Sequence, residues 1–400
     1  MRILMLSWEY PPHLQGGMGA HVADLVPALA AQGVEVTLLT PRWRGGDEIE
    51  KVSANLTVYR VLPPVTELSN YYADVVQTNI AMEQFAHRLW AQGQPFDLIH
   101  AHDWLVSFAA EALKKIYKTP LVATIHATER GRGRGMLAGE MSEAINGAEW
   151  FLTYEAWRVI ATSRFMLNEV CSFFQLPGDK VTIIPNGVNP HRRPLLATDE
   201  WEQVRAEWVA PHEHLVYYIG RIQQEKGVDV LVDATWQVLK QDPDVKFVLA
   251  GTGALLDDVR WRVAVMHLND RVVLPGYVND TTRDNLYQIA DLAVFPSLYE
   301  PFGIVALEAM AARCPVIVSD VGGLGEVVEN NVTGLKVMPG RSDLLADAIL
   351  ESLHNRAHAA QMAERAYQVV CQEYSWEHIA RATAELYQEI IRLRQIVPWN

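Results

Sequence analysis

Along almost its whole length the chain alternates short apolar runs with longer segments of helical periodicity, and it does so twice. In the first series Arg2–Leu6, Val34–Leu39, Phe96–His100, Leu121–Ile125, Val159–Ala161 and Val181–Ile184 predict strands. Helical patterns end near Ala31 and span Tyr71–Trp90, Trp104–Ile116, Glu140–Tyr154 and Arg164–Phe174, while Gly45–Arg60 is polar and expected to be irregular. The turn cluster Pro185-Asn186-Gly187-Val188-Asn189-Pro190 closes this series, and the charged, proline-flanked stretch Arg192–Pro211 marks a boundary. The alternation then restarts, with strands expected at Leu215–Ile219, Lys246–Ala250, Val272–Leu274, Leu292–Phe295, Val316–Ser319 and Gly334–Val337. A helix between successive strands is too long for a hairpin and forces parallel pairing. The expectation is an α/β chain of two doubly wound parallel sheets, residues 1–190 and 191–378, with a last helix over 379–400 that Ser375 can cap. Ligands of such sheets bind beyond the strands' C-terminal ends, so a site between facing domains is expected.

Composition narrows the partners. A formal charge of −14 argues against nucleic acid or an anionic membrane as the main partner, although a local basic pocket for phosphate is compatible with it. Cys171, Cys314 and Cys371 are scattered without metal-ligand spacing and fit reduced thiols of a cytoplasmic protein. No apolar run approaches the length of a membrane span, and the N-terminal run is too short for a signal peptide. The G-x-S-x-G, G-x4-G-K-[ST] and H-E-x-x-H patterns are missing, which removes the hydrolase elbow, the P-loop and the zinc protease.

The chemistry-bearing residues fall at expected strand ends. In Ser297–Met310, SLYEPFGIVALEAM, a strand is followed by a turn with Pro301 and Gly303 and then a helix. Free N–H groups at Phe302, Gly303 and Ile304 favour an anion such as a diphosphate. Glu300 lies in the loop and Glu308 on the helix, a placing that suits sugar hydroxyls at both ends of a pyrophosphate; a helix cap and a surface carboxylate are the plain alternative. Arg221 and Lys226 in GRIQQEKG can clamp a diphosphate, though Glu225 also fits a solvated charged loop. Gly16 and Gly17 sit in the first strand-to-helix loop, where bare backbone can approach phosphate or make a tight turn. His100, His102 and Asp103 form IHAHDW; this resembles part of a metal cluster but shows no further ligand at a fixed spacing, and Asp103 fits a sugar hydroxyl or a helix cap. His126 opens a loop whose Arg130, Arg132 and Arg134 fit solvation better than an anion site. Gly276, Tyr277 and Val278 can form a backbone and apolar wall for a nucleobase, or an ordinary loop.

Taken together, Gly16-Gly17, HAHDW, His126, Asn186-Gly187-Val188, G-R-x4-K-G at Gly220–Gly227 and E-P-F-G-x4-E at Glu300–Glu308 resemble the retaining glycosyltransferases of family 4. The resemblance implies the GT-B fold: two Rossmann-like domains facing across a cleft, with the C-terminal helix crossing back to the first. It implies that Arg221 and Lys226 neutralise the diphosphate leaving group. Glu308 would bind the ribose, and Glu300 with the backbone at Phe302–Ile304 the donor sugar. His126 would meet the sugar near its reacting carbon, and Gly17 would lie against the phosphates. No metal or other cofactor is implied. The segments IHATERGRG and INGAEWFLTYEAWRV resemble glycogen-synthase-like members that extend α-glucans. Leu14 stands where bacterial glycogen synthases usually place the lysine of K-x-G-G, and Glu308 is a second glutamate that they tend to lack, so ADP- and UDP-glucose both stay open. Mannosyl- or sucrose-type transfer, a UDP-sugar 2-epimerase and a silent nucleotide-sugar-binding protein are the other readings.

Overall fold

The computed structural model describes residues 1–63, 70–93, 95–192 and 194–399. These divide into two compact units: Met1–Gly187 together with the stretch from Trp376 onward, and Val188–Ser375. The divisions lie three residues before the positions expected from sequence; residues 64–69, 94, 193 and 400, inside the expected segments, are outside the described residues.

The first unit holds strands β1 (Arg2–Leu6), β2 (Glu35–Pro41), β3 (Ile49–Ser53), β4 (Leu56–Val61), β5 (Leu98–His102), β6 (Leu121–Ile125), β7 (Arg158–Ala161) and β8 (Val181–Ile183). They form one sheet in the order β3-β4-β2-β1-β5-β6-β7-β8. Every neighbouring pair is parallel except β3 with β4. After Arg2 the β1 run is apolar because both faces are covered. Leu4 and Leu6 pack with Met82, Leu113 and Val170 on one side, while Ile3 and Met5 pack with Leu25, Leu29, Ile379 and Ile390 on the other.

Two elements depart from the sequence reading. Residues 45–60 are not irregular: β3 and β4 form an antiparallel hairpin. β3 lies at the sheet edge, where its side chains are almost all exposed, so it lacks the apolar run by which the other strands show themselves. β5 begins and ends two residues later than expected, which puts His100 and His102 inside a fully buried strand.

Helix Trp376–Ile396 packs on helix Gly17–Ala31 through Ile379, Ala380, Leu386, Tyr387 and Ile390. A hydrogen bond of 2.5 Å joins the Tyr387 hydroxyl to His100 Nδ1, and Thr124 Oγ1 meets His100 Nε2 at 2.7 Å.

The second unit holds β9 (His214–Ile219), β10 (Val245–Ala250), β11 (Val272–Gly276), β12 (Leu292–Phe295), β13 (Val316–Ser319) and β14 (Leu335–Val337). The order is β11-β10-β9-β12-β13-β14, with every pair parallel. Strand order reverses between β9 and β12, the place where open α/β sheets form a crevice. The stretch expected as a linker contains helix Thr198–Ala206, tied down by Arg205, whose guanidinium reaches the Ile289 carbonyl and pairs with Asp291 at 2.7 Å. Its charge is therefore partly internal, which composition cannot show. No helix among the described residues is long and apolar enough to cross a membrane.

Tyr387→Phe leaves the buried His100 Nδ1 without its partner. It should lower the unfolding free energy by about 1–3 kcal/mol, read as a lower urea midpoint with an unchanged slope.

Candidate active site

Two loops leave the adjacent strands β9 and β12 of the second unit, and the backbone locks them together. Gly227 has φ +63°, and a Cβ there would run into the Pro296 carbonyl, so only glycine lets the loops approach. Leu298 and Tyr299 N–H groups donate to the Glu225 carbonyl at 2.8 and 3.1 Å. This brings Lys226 Nζ to 2.7 Å from Glu300 Oε2, with the two side chains only 18% and 10% exposed. Ser297 Oγ donates to the same oxygen at 3.2 Å. Arg221 is half exposed and pairs with Glu225 at 3.1 Å. Both cations expected to meet a diphosphate therefore already carry a carboxylate partner, and only Lys226 is held in a partly desolvated place.

Beyond Glu300, Gly303 takes φ +103° and starts helix Ile304–Ala311 with no side-chain cap among the described residues. Phe302 packs in the core beside Leu324, and the Gly323 N–H donates to the Glu300 carbonyl at 2.9 Å. The uncapped N–H groups after Phe302 thus sit on a braced loop.

Glu308 faces elsewhere. Tyr287 donates to its Oε2 at 3.2 Å, and Arg283 lies 3.7 Å from its Oε1. Burial pushes its carboxyl above the usual range, against the pull of Arg283 and Arg192. It lines a cavity of about 460 Å³ together with Asn189, Arg192, Arg283, Tyr287 and Arg313. Glu300 is not among the lining residues, so the two glutamates do not share this cavity. Neither are Gly276, Tyr277 and Val278: Gly276 ends β11, Val278 packs on the core, and Tyr277 is 77% exposed.

In the first unit Asp103 and His126 follow the neighbouring strands β5 and β6. Asp103 adopts φ 58°, and its Oδ1 accepts the His126 N–H at 2.8 Å. Burial raises the Asp103 carboxyl to about 6, opposed by the backbone hydrogen bond and by Arg132. Burial also lowers the His126 imidazole to about 3. His126 Nε2 and His102 Nδ1 share a hydrogen bond of 3.1 Å. The His21 ring stands edge-on to His126 at 4.7 Å, with the buried Asn186 side chain beside it.

Sequence reasoning passed over three residues here. Glu9 is buried, and its Oε2 accepts from Gln15 N at 2.7 Å and Gly16 N at 3.2 Å. The Gly16 N–H offered to phosphate is thus turned to a carboxylate, and a side chain at Gly16 would meet open space, whereas one at Gly19 would strike Glu9. Gly17 is the first residue of the helix. Glu149 is fully buried, accepts the Glu129 N–H at 2.9 Å, and is raised to about 8 by burial and by Asp103. His21, the third, carried no signal beyond lying in the helix after the glycines. Arg132, expected to be merely solvated, acts on both Asp103 and Glu149; Arg130 lies over the Phe173 ring.

Residues 15–192 match the family described as Glycosyltransferase Family 4, and residues 199–369 match Glycosyl transferases group 1. An uncharacterised glycosyltransferase of Methanocaldococcus jannaschii is 37% identical over 97% of this chain and 98% of its own. The glycogen synthase of Mycobacterium tuberculosis is 35% identical over 97% of this chain and 94% of its own. The chain belongs to glycosyltransferase family 4. The solved sucrose-phosphate synthase of Thermosynechococcus elongatus superposes with a TM-score of 0.83 at 26% identity, covering 98% of this chain and 99% of the other. The fold of this transferase is accordingly GT-B.

The Glu149 proton gives the transferase a pH dependence. Unfolded, that carboxyl releases its proton near pH 4.5; folded, it keeps it to about 8. Between these values the folded state holds the extra proton, so stability falls as pH rises. Glu149→Gln should flatten this decline between about pH 5 and 8, measured as urea stability across pH.

Proposed function

We propose that this transferase works in the cytoplasm, moving glucose from a nucleoside-diphosphate glucose to an acceptor hydroxyl with retention at the anomeric carbon. An α-glucan is the acceptor it fits best. The observation that carries this reading is the Lys226–Glu300 pair, held on two braced loops beside the uncapped helix at Gly303.

A donor diphosphate would draw Lys226 and Arg221 from their carboxylates and meet the N–H groups after Phe302. Glu300, so released, would accept from the sugar hydroxyls, and Glu308 from the ribose. His126, Asp103 and Asn186 are assigned to the donor sugar and Gly17 to its phosphates, Gly16 being held beside them by Glu9. Gly276, Tyr277 and Val278 are assigned to the base. Cations and the helix dipole supply the charge that stabilises the leaving group, so the transfer needs no metal. No carboxylate is assigned as nucleophile; the leaving phosphate oxygen takes the acceptor proton. The name of the mycobacterial relative favours a glucan acceptor, and that of the sucrose-phosphate synthase keeps a sucrose-type acceptor as the second reading.

Incubation with ADP-, UDP- and GDP-sugars and maltooligosaccharides, with products read by mass, tests this. An elongated glucan supports it. A sucrose-type product selects the second reading, and an epimerised sugar nucleotide without transfer overturns both. Lys226→Ala should lower turnover by about two to three orders of magnitude, as for loss of one preorganised electrostatic donor; near-unchanged turnover refutes its role.

A further inference from the structure

Three imidazoles converge in the first unit from three different elements: His21 from helix Gly17–Ala31, His102 from the end of β5, and His126 just after β6. One ring nitrogen of each lies within 4.8 Å of those of the other two. His102 Nδ1 and His126 Nε2 stand 3.1 Å apart. That is close to the edge, roughly 3.3 Å, of a tetrahedron whose centre is about 2.0 Å from each nitrogen. The widest gap would close by no more than about 1.5 Å to reach the same edge.

A second observation points to a missing ligand. Among the described residues His21 Nδ1 is a buried nitrogen with no hydrogen-bond partner, while His102 turns Nδ1, not Nε2, to His126. Buried polar atoms are ordinarily satisfied, and a neutral imidazole keeps one bare lone pair. The Asp103 carboxylate already accepts the His126 backbone N–H. A donor set made only of imidazole suits zinc and its neighbours in the transition series, and does not suit magnesium or calcium, which take oxygen. The short H-x-H spacing of His100 and His102 is only half of the pattern, because His100 is used by Tyr387 and Thr124 instead.

We propose that His21, His102 and His126 form a binding site for a transition-metal dication of the zinc type, with three protein nitrogens and an open fourth position. Because His126 is also assigned to the donor sugar, a part that rests on the proposed function, the ion and the donor exclude one another and the dication inhibits transfer.

The full-length protein, stripped with chelator, is titrated with zinc chloride by calorimetry and studied by X-ray absorption at the zinc edge. One ion per chain with three nitrogen neighbours at about 2.0–2.1 Å is expected, together with loss of that tight site in His21→Gln and in His102→Gln. A shell dominated by oxygen or sulfur, or binding that survives both substitutions, overturns the site. The wild-type spectrum decides alone if either variant fails to fold. Zinc should slow transfer and chelator should restore it; full turnover at saturating zinc overturns the inhibition. Binding is read without turnover, so a failure to find any transfer reaction counts against the proposed function and leaves the zinc result standing.

Discussion

Parallel pairing of β9 with β12 puts Lys226 against a glutamate that is 74 residues away in the chain. Neither strand places the pair alone. The loops can touch only because Gly227 has no side chain to meet the Pro296 carbonyl, and the Glu225 carbonyl then anchors two successive N–H groups of the opposite loop. Once the loops are joined, the ammonium and the carboxylate neutralise each other in a partly dry place. That arrangement costs little at rest and leaves a cation poised for a stronger anion, because a diphosphate offers more charge than one carboxylate.

The first unit follows the same logic of adjacent strands with different chemistry. β5 and β6 end side by side, and Asp103 leaves in a left-handed conformation that lets it accept the His126 N–H. Around them, burial holds the imidazoles neutral and two carboxyls protonated well above their ordinary range. Arg132 pulls both carboxyls back toward ionisation against the larger effect of burial, so a loop that composition marks as solvent-facing moderates their charge.

Most of the fold was legible because buried parallel strands leave continuous apolar runs, and the helices between them leave periodic ones. The hairpin of β3 and β4 was not, since an exposed edge strand needs no apolar face. The His102 side chain was misplaced for a related reason: a histidine inside a buried strand looks, in sequence, like the polar end of one. At the site, loop residues with glycine at fixed spacings were legible, whereas Glu9, Glu149 and His21 were not. Their significance lies in which distant backbone or ring they face, and a single sequence does not record that. The two glutamates of the E-P-F-G-x4-E stretch are close in sequence, yet the helix turns Glu308 to Tyr287 and Arg283 and away from Lys226.

The C-terminal helix has a consequence for how the chain is made. Its Ile379, Tyr387 and Ile390 pack with Ile3 and Met5 of the first sheet and with Leu25 of helix Gly17–Ala31. Yet about 190 residues, Val188–Ser375, emerge between the two. At bacterial or eukaryotic rates of synthesis that is roughly ten to forty seconds. Throughout that interval the apolar side chains of the first unit that this helix buries stay uncovered.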